Sequence, residues 1–226
     1  MIKILLQKYL KSAKGIDYSI DNNISSSYLI RLLIKKGIML FRGVVRVRCF
    51  IFIGKGVQLD AKYLLSVSSN SSIGDYCQLD ALSTHGITIG KGVSLGRFGK
   101  IRATATLNSL GHGVIVGDYV GIGDGFYLGG FGGISIGADT IIGERLTVHS
   151  DNHLFDDCSQ PIRTQGVVKK KVNIGRNCWF GSNVTILGGV DIGEGCIVGA
   201  GAVVTKSIPS FSIAAGNPAK IIRERK

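Results

Sequence analysis

The chain is short of proline, of acidic residues and of long uncharged runs, and each shortage excludes a class of protein. Proline occurs only 3 times in 226 residues, against 33 glycines. With no G-X-Y period, that balance excludes a collagen-like chain and argues against a disordered tract. The five cysteines (Cys49, Cys77, Cys158, Cys178 and Cys196) are odd in number and contain no C-x-x-C pair. Neither a disulfide framework nor a zinc ribbon is expected, and reduced cytoplasmic thiols fit best. The apolar stretch 28–52 is broken by Arg31, Lys35, Lys36, Arg42, Arg46 and Arg48, too many charges for a bilayer span. Lys3 and Lys8 interrupt the first ten residues and no small-residue cleavage site follows, so no secretory leader is read. No G-x-x-x-x-G-K-[ST] phosphate loop occurs. No helix-turn-helix, zinc or aromatic RNA-binding motif accompanies the net charge of +12, so nucleic acid is not an expected partner.

Apolar residues make up 45% of the chain, enough for a packed core. Charge is concentrated at the ends. Residues 1–48 carry ten Lys and Arg against Asp17 and Asp21. A second basic group, Lys206, Lys220, Arg223, Arg225 and Lys226, closes the chain. Such surfaces attract anionic lipid or phosphorylated small molecules. For residues 1–48 a solvated basic face and a peripheral contact with the inner membrane are both open readings.

The strongest signal is a repeat. An apolar residue followed by glycine recurs along the chain, at Ile53, Ile73, Ile89, Leu95, Val116 and Ile122 among others, with a clean six-residue spacing through Ile174, Phe180, Ile186, Ile192, Val198 and Val204. Shorter runs are Val116–Ile122–Leu128 and Ile136–Ile142–Val148. Six residues suit a short strand plus a turn, with the apolar side chain inward and the following glycine relieving a tight corner. Three such units make an 18-residue coil, and only stacking of coils buries the apolar faces. Cys178 and Cys196 are 18 residues apart and are expected to stack on neighbouring coils as packing residues. Breaks in the spacing at 79–89, 101–116 and 148–174 mark loops, the last the longest of the later coils and a natural place for chemistry.

The division expected is a basic, helical N-terminal segment (1–50), a β-helix catalytic domain (51–208) with a protruding loop at about 149–173, and a tail over 209–226. Leu32–Leu40 is apolar enough for a helix packed on the first coil or lying on a membrane. Pro218–Arg225 reads as a short helix capping the open end.

From about residue 50 onward the chain resembles the hexapeptide-repeat acyltransferases, and most closely the O-acetyltransferases of surface-polysaccharide and lipopolysaccharide synthesis. The residues that carry the resemblance are Ser150-Asp151-Asn152-His153-Leu154-Phe155, Ile174-Gly175-Arg176-Asn177-Cys178-Trp179-Phe180-Gly181, Gly199-Ala200-Gly201-Ala202-Val203-Val204-Thr205-Lys206 and Ala214-Ala215-Gly216-Asn217-Pro218-Ala219-Lys220. It implies an all-β, left-handed parallel β-helix and a homotrimer with clefts between neighbouring prisms. It also implies direct transfer of acetyl from acetyl-CoA, a co-substrate, to a sugar hydroxyl on a lipid-linked or nucleotide-linked saccharide, with no metal.

Transfer to a hydroxyl needs a base, and histidine titrates near working pH. Of the four histidines the family pattern selects His153, directly after Asn152. His149 and His153 have the spacing of two metal ligands on a helix, but no helix is expected there. The resemblance places Trp179 near the base, a position that also suits a trimer contact. It places Ser182 where a hydroxyl or amide meets the thioester oxygen, a position that also suits a plain turn serine. Gly181, Ser182, Ala200, Thr205, Lys206, Lys220 and Arg223 are the candidate coenzyme A contacts, small residues for the pantetheine arm and cations for the phosphates. Asp124, Tyr127, Asn152, Asp156 and Arg163 are unranked candidates for the acceptor side, and Asp151 and Glu144 for orienting the histidine. Two rival readings remain: N-acetyl transfer to an amino sugar nucleotide, and a non-catalytic β-helix used in assembly.

Overall fold

The computed structural model describes Lys3, Gln7 and residues 20–226. The basic positions Lys8, Lys11 and Lys14 fall outside the described residues.

The first described helix, α1 (Ser26–Val47), starts where Ser25 accepts a hydrogen bond from the Tyr28 amide, 3.2 Å. It buries Leu29, Met39 and Gly43. Its C-terminal half packs on the first coil. A methyl group at Gly43 would run into the Ile51 carbonyl, so glycine sets how closely the helix docks. Arg46 donates to the Val57 carbonyl at 2.7 Å across the same contact. The sequence places the helix at its centre, over Leu32–Leu40, and the cap carries it a turn or more further each way. Among the described residues no helix is long and apolar enough to cross a membrane.

From Phe52 the chain winds as a parallel β-helix of three sheets. The first sheet gathers Phe52–Ile53, Ser72–Ile73, Ser94–Leu95, Gly121–Ile122, Ile141–Ile142, Trp179–Phe180, Ile197–Val198 and Ser212–Ala215. The second gathers Gln58–Asp60, Gln78–Asp80, Lys100–Arg102, Tyr127–Gly129, Thr147–His149, Thr185–Ile186 and Val203–Val204. The third runs from Leu65–Val67 to Asp191–Ile192. The register keeps like positions in columns: Ile141 pairs with Trp179 and Trp179 with Ile197. The inward column of the first sheet is Ile53, Ile73, Leu95, Ile122, Ile142, Phe180, Val198 and Ala214, all buried. Cys178 and Cys196 stack as their spacing requires, both buried, and each thiol donates to a carbonyl of the next coil, Gly193 at 3.2 Å and Pro209 at 3.0 Å.

The glycine after each inward residue has a different task from the one the repeat suggests. Positive φ falls two residues later, at Tyr76, Phe98, Arg145 and Asn183. The glycine itself lies under the next coil. A Cβ at Gly54, Gly96 or Gly181 would come within 2.5 Å of a backbone atom of that coil. Close stacking, rather than turn geometry, excludes a side chain there.

The corners differ in length. Those between the first and second sheets (54–57, 74–77, 96–99, 123–126, 143–146, 181–184, 199–202) share one length, as do those from the third sheet back to the first. Every excursion leaves from the remaining corner, between the second and third sheets: 81–86, 103–113 and 150–171.

The tail corrects the expected C-terminal helix. Lys220–Glu224 is a strand, antiparallel to Ser212–Ala215, and closes the edge of the first sheet. The edge offers a row of unpaired backbone groups, and the β-branched pair Ile221-Ile222 suits a strand better than a helix.

Candidate active site

The longest excursion is a built arm. Asp151–His153 pairs antiparallel with Val167–Lys169, His153 opposite Val167. A short helix, α2 (Ile162–Gln165), turns the chain back. Its base is fixed by Ser150, fully buried, whose hydroxyl donates to the Gly129 carbonyl at 2.6 Å and accepts from the Gly132 amide at 2.8 Å. Lys169 ties the arm sideways, donating to the Leu110 carbonyl at 2.7 Å and standing 4.7 Å from the Phe131 ring centroid. At the tip Asp157 accepts from Ser159 and Gln160, and those bonds, Ser159 first, hold its carboxyl below the ordinary range.

This frame carries His153 exposed, with Asn152 and Asp151 half-buried beside it. The backbone of 151–153 is strand, so His149 and His153 do not share a helix face. Among the described residues no group of three or more His, Cys, Asp or Glu is arranged to hold a metal ion. His149 faces outward at the end of its second-sheet strand, and the Tyr127 ring lies 5.5 Å from its ring. Tyr127 leans there because Gly129 leaves the intervening place open: a Cβ at Gly129 would lie 3.1 Å from the tyrosine ring. Next in the same outward columns come Lys100 and Arg102, which with Asp60, Gln78 and Asp80 line a shallow polar pocket. Nothing in the sequence marks Lys100 and Arg102. Only the register of the sheet brings them into line with His149.

The other candidates divide between two places. Gly181, Ser182 and Ala200 stack at the corner between the first and second sheets, where only small side chains cover the backbone. Lys220 follows the next turn of that corner, and Arg223 continues along the edge strand, both exposed. Thr205 and Lys206 lie across the second sheet, at the corner from which the arm springs. Trp179 is on the outer face of the first sheet, 56% exposed. Within one chain it makes no hydrogen bond or ring contact with His153.

Of the acceptor-side candidates, Asp124 is already engaged. Arg97 donates to it through Nε at 2.9 Å, Nη2 at 2.8 Å and the backbone amide at 2.7 Å. The amide first and the guanidinium second hold its carboxyl below 3.8. Glu144 sits at the corner between the first and second sheets, remote in the coil from the arm, whereas Asp151 is on the arm itself, opposite Lys169. Asp156 and Arg163 are exposed near its tip.

Coiled parallel sheets and a six-residue repeat make the chain similar to the hexapeptide-repeat transferases. Residues 171–206 match the family model for bacterial transferase hexapeptides. Over 179 residues the chain is 32% identical to a Mycobacterium tuberculosis protein provisionally named an acetyltransferase, covering 79% of the chain and 51% of that protein. Over 126 residues it is 36% identical to WbbJ of Escherichia coli, provisionally named a lipopolysaccharide biosynthesis O-acetyl transferase, covering 52% of the chain and 64% of WbbJ. The chain thus spans between about half and two thirds of the length of these curated relatives. A mutant of AntD, an N-acyltransferase from Bacillus cereus in complex with dTDP-4-amino-4,6-dideoxyglucose and coenzyme A, aligns with a TM-score of 0.53 at 25% identity, covering 78% of the chain and 81% of AntD.

Proposed function

We propose that the protein is an acetyl-CoA-dependent acetyltransferase acting on a sugar hydroxyl in surface-polysaccharide or lipopolysaccharide synthesis, with His153 as general base. The observation that carries the reading is the arm. It presents an exposed imidazole on a hairpin pinned at its base by Ser150 and at its flank by Lys169. A positioned base needs that rigidity, because misplacement of a proton acceptor costs rate steeply. The family and the provisional name of WbbJ supply the reaction class.

In the proposed step His153 takes the proton from the acceptor hydroxyl as its oxygen bonds to the thioester carbonyl carbon. Ser182 donates to the developing oxyanion in this reading. The carbon–sulfur bond then breaks, and coenzyme A leaves as the thiol with the proton returned by His153. Asn152 precedes the base on the same strand, opposite Val168, and Trp179 shapes the acceptor pocket. The small-residue corner at Gly181, Ser182 and Ala200 suits a pantetheine arm. Lys220 and Arg223 suit the phosphates from one side, Thr205 and Lys206 from the other.

In one chain Trp179 and His153 occupy different parts of the coil. A pocket that uses both needs a second copy, which supports a homotrimer of left-handed prisms with the sites between them. A second reading, transfer to the amine of a nucleotide-linked amino sugar, is favoured by the likeness to AntD.

Calorimetry of acetyl-CoA binding tests the co-substrate, with Lys206→Ala/Arg223→Ala as the weakened variant. Micromolar binding lost in the variant supports the reading; no binding by the folded wild type removes it and leaves an assembly role. His153→Ala is expected to lower transfer about 10²–10⁴-fold at unchanged melting temperature. Treating the acetylated product with mild hydroxylamine separates the two acceptors. An ester is cleaved, whereas an amide survives and would establish the AntD-like reading.

A further inference from the structure

We propose that α1 is a membrane-surface helix that seats the first coil of the β-helix on an anionic lipid bilayer. The inference is independent of the reaction.

A helix docked along one stripe normally turns polar residues to solvent. α1 does the reverse. Met39 and Gly43 face the first coil, and the close approach at Gly43 fixes the helix rotation. Ile30, Ile34, Ile38, Phe41 and Val45, spaced by three or four residues, then form a stripe on the opposite side, with Ile34 59%, Phe41 70% and Val45 63% exposed. At ~1.5 Å per residue the helix is about 33 Å long, and this apolar stripe runs most of its length.

Charge selects the occupant. Ser26–Val47 contains Arg31, Lys35, Lys36, Arg42 and Arg46 and no acidic residue. Arg31 and Arg42 border the apolar stripe, Arg31 exposed and Arg42 partly so. Lys35 is held at the flank by Asp75 at 3.1 Å, and Lys36 stands 4.9 Å from the Phe52 ring centroid. A second copy of α1 laid on this face would set cations against cations with no carboxylate between them. An anionic headgroup layer satisfies both parts of the surface. Phosphates meet the arginines at the border, and the acyl boundary takes the isoleucines and Phe41. The helix is too charged and insufficiently apolar to span the bilayer, so it lies in the plane of the surface.

The test is flotation of the full chain with vesicles of phosphatidylcholine alone or phosphatidylcholine with phosphatidylglycerol. Wild-type protein is expected to float with the anionic vesicles only, and less as salt rises. Arg31→Gln/Arg42→Gln should weaken binding by roughly tenfold or more, and Ile34→Asp/Phe41→Asp should abolish it. Arg31, Ile34 and Phe41 are exposed and Arg42 partly so, and unchanged melting temperature and oligomer mass certify the variants as folded. The proposal is overturned if wild type ignores anionic vesicles, binds both kinds equally, or binds undiminished after the apolar pair is replaced. It is also overturned if that pair instead lowers the oligomer mass of the wild type, because the face would then be a contact between copies.

Discussion

Single side chains in the coil are constrained by what lies directly above and below. Gly99 occupies a corner column between Cys77 and Phe126, and a methyl group there would run into the Phe126 ring, which is buried. One coil yields its side chain so that the next can fill the space. The thiols follow the same rule. Burial pushes Cys77 and Cys178 up to about 11, so neither offers a thiolate at neutral pH. Cys158 is exposed on the arm. Titration with a thiol-specific chromophore should therefore label Cys158 rapidly in the native protein, with Cys77, Cys178 and Cys196 reacting only on unfolding. Acid should act through the corner carboxylates. Asp124 is held down by the Arg97 amide and guanidinium. Asp75 is held down by the Lys55 amide and Lys35, against the burial that would raise it. A carboxyl lowered in the folded state contributes stability above its ordinary value of 3.8, and that contribution is lost as pH falls through and below it. The drop in melting temperature between pH 6 and pH 3 should be smaller in Asp124→Asn than in the wild type, an outcome that differential scanning calorimetry reads directly.

Among the elements, the coils and the place of the arm were legible, whereas the arm's strand pairing was not. The spacing Ile174–Phe180–Ile186–Ile192–Val198–Val204 reports inward positions directly, because every third unit returns to the same sheet. The arm's first strand, Asp151-Asn152-His153, has no β-branched residue and no alternation, since its pairing rests on backbone bonds to Val167–Lys169 rather than on burial. The histidine could be found from its motif, but its frame could not. Ser150 reads as one more polar loop residue, yet its two hydrogen bonds hold the arm's base. Ser150→Ala leaves the Gly132 amide without its partner in a buried place and is expected to cost about 1–3 kcal/mol. Chemical denaturation measures that loss, and a fall in transfer rate larger than that of an equally destabilising core variant would place the arm's position in the reaction. The tail was misread for a related reason. Pro218 suits the first turn of a helix, but the open edge of the first sheet, absent from any local window, recruits Lys220–Glu224 as a strand.

At the scale of the molecule the site candidates lie apart in one chain, and this makes a prediction about assembly. If pockets form between prisms, His153→Ala and Trp179→Ala chains are each inactive alone. Unfolded together and refolded, they should regain about a quarter of wild-type activity, because random mixing restores that share of pockets with one intact histidine and one intact tryptophan from neighbouring chains. Activity no greater than that of the separate variants would mean that both residues act from the same chain, or that Trp179 takes no part.

The uneven corners have a consequence for how such a protein changes over time. Two of the three edges of the coil are held to a fixed length by glycines lying under the next turn, so an inserted residue there would throw the columns out of register. The third edge already hosts 81–86, 103–113 and 150–171 without disturbing the ladder on either side. Insertions, deletions and grafted segments therefore have a single port of entry. Because the histidine-bearing arm springs from that same edge, variation in loop length along it alters what approaches His153 while leaving the scaffold untouched.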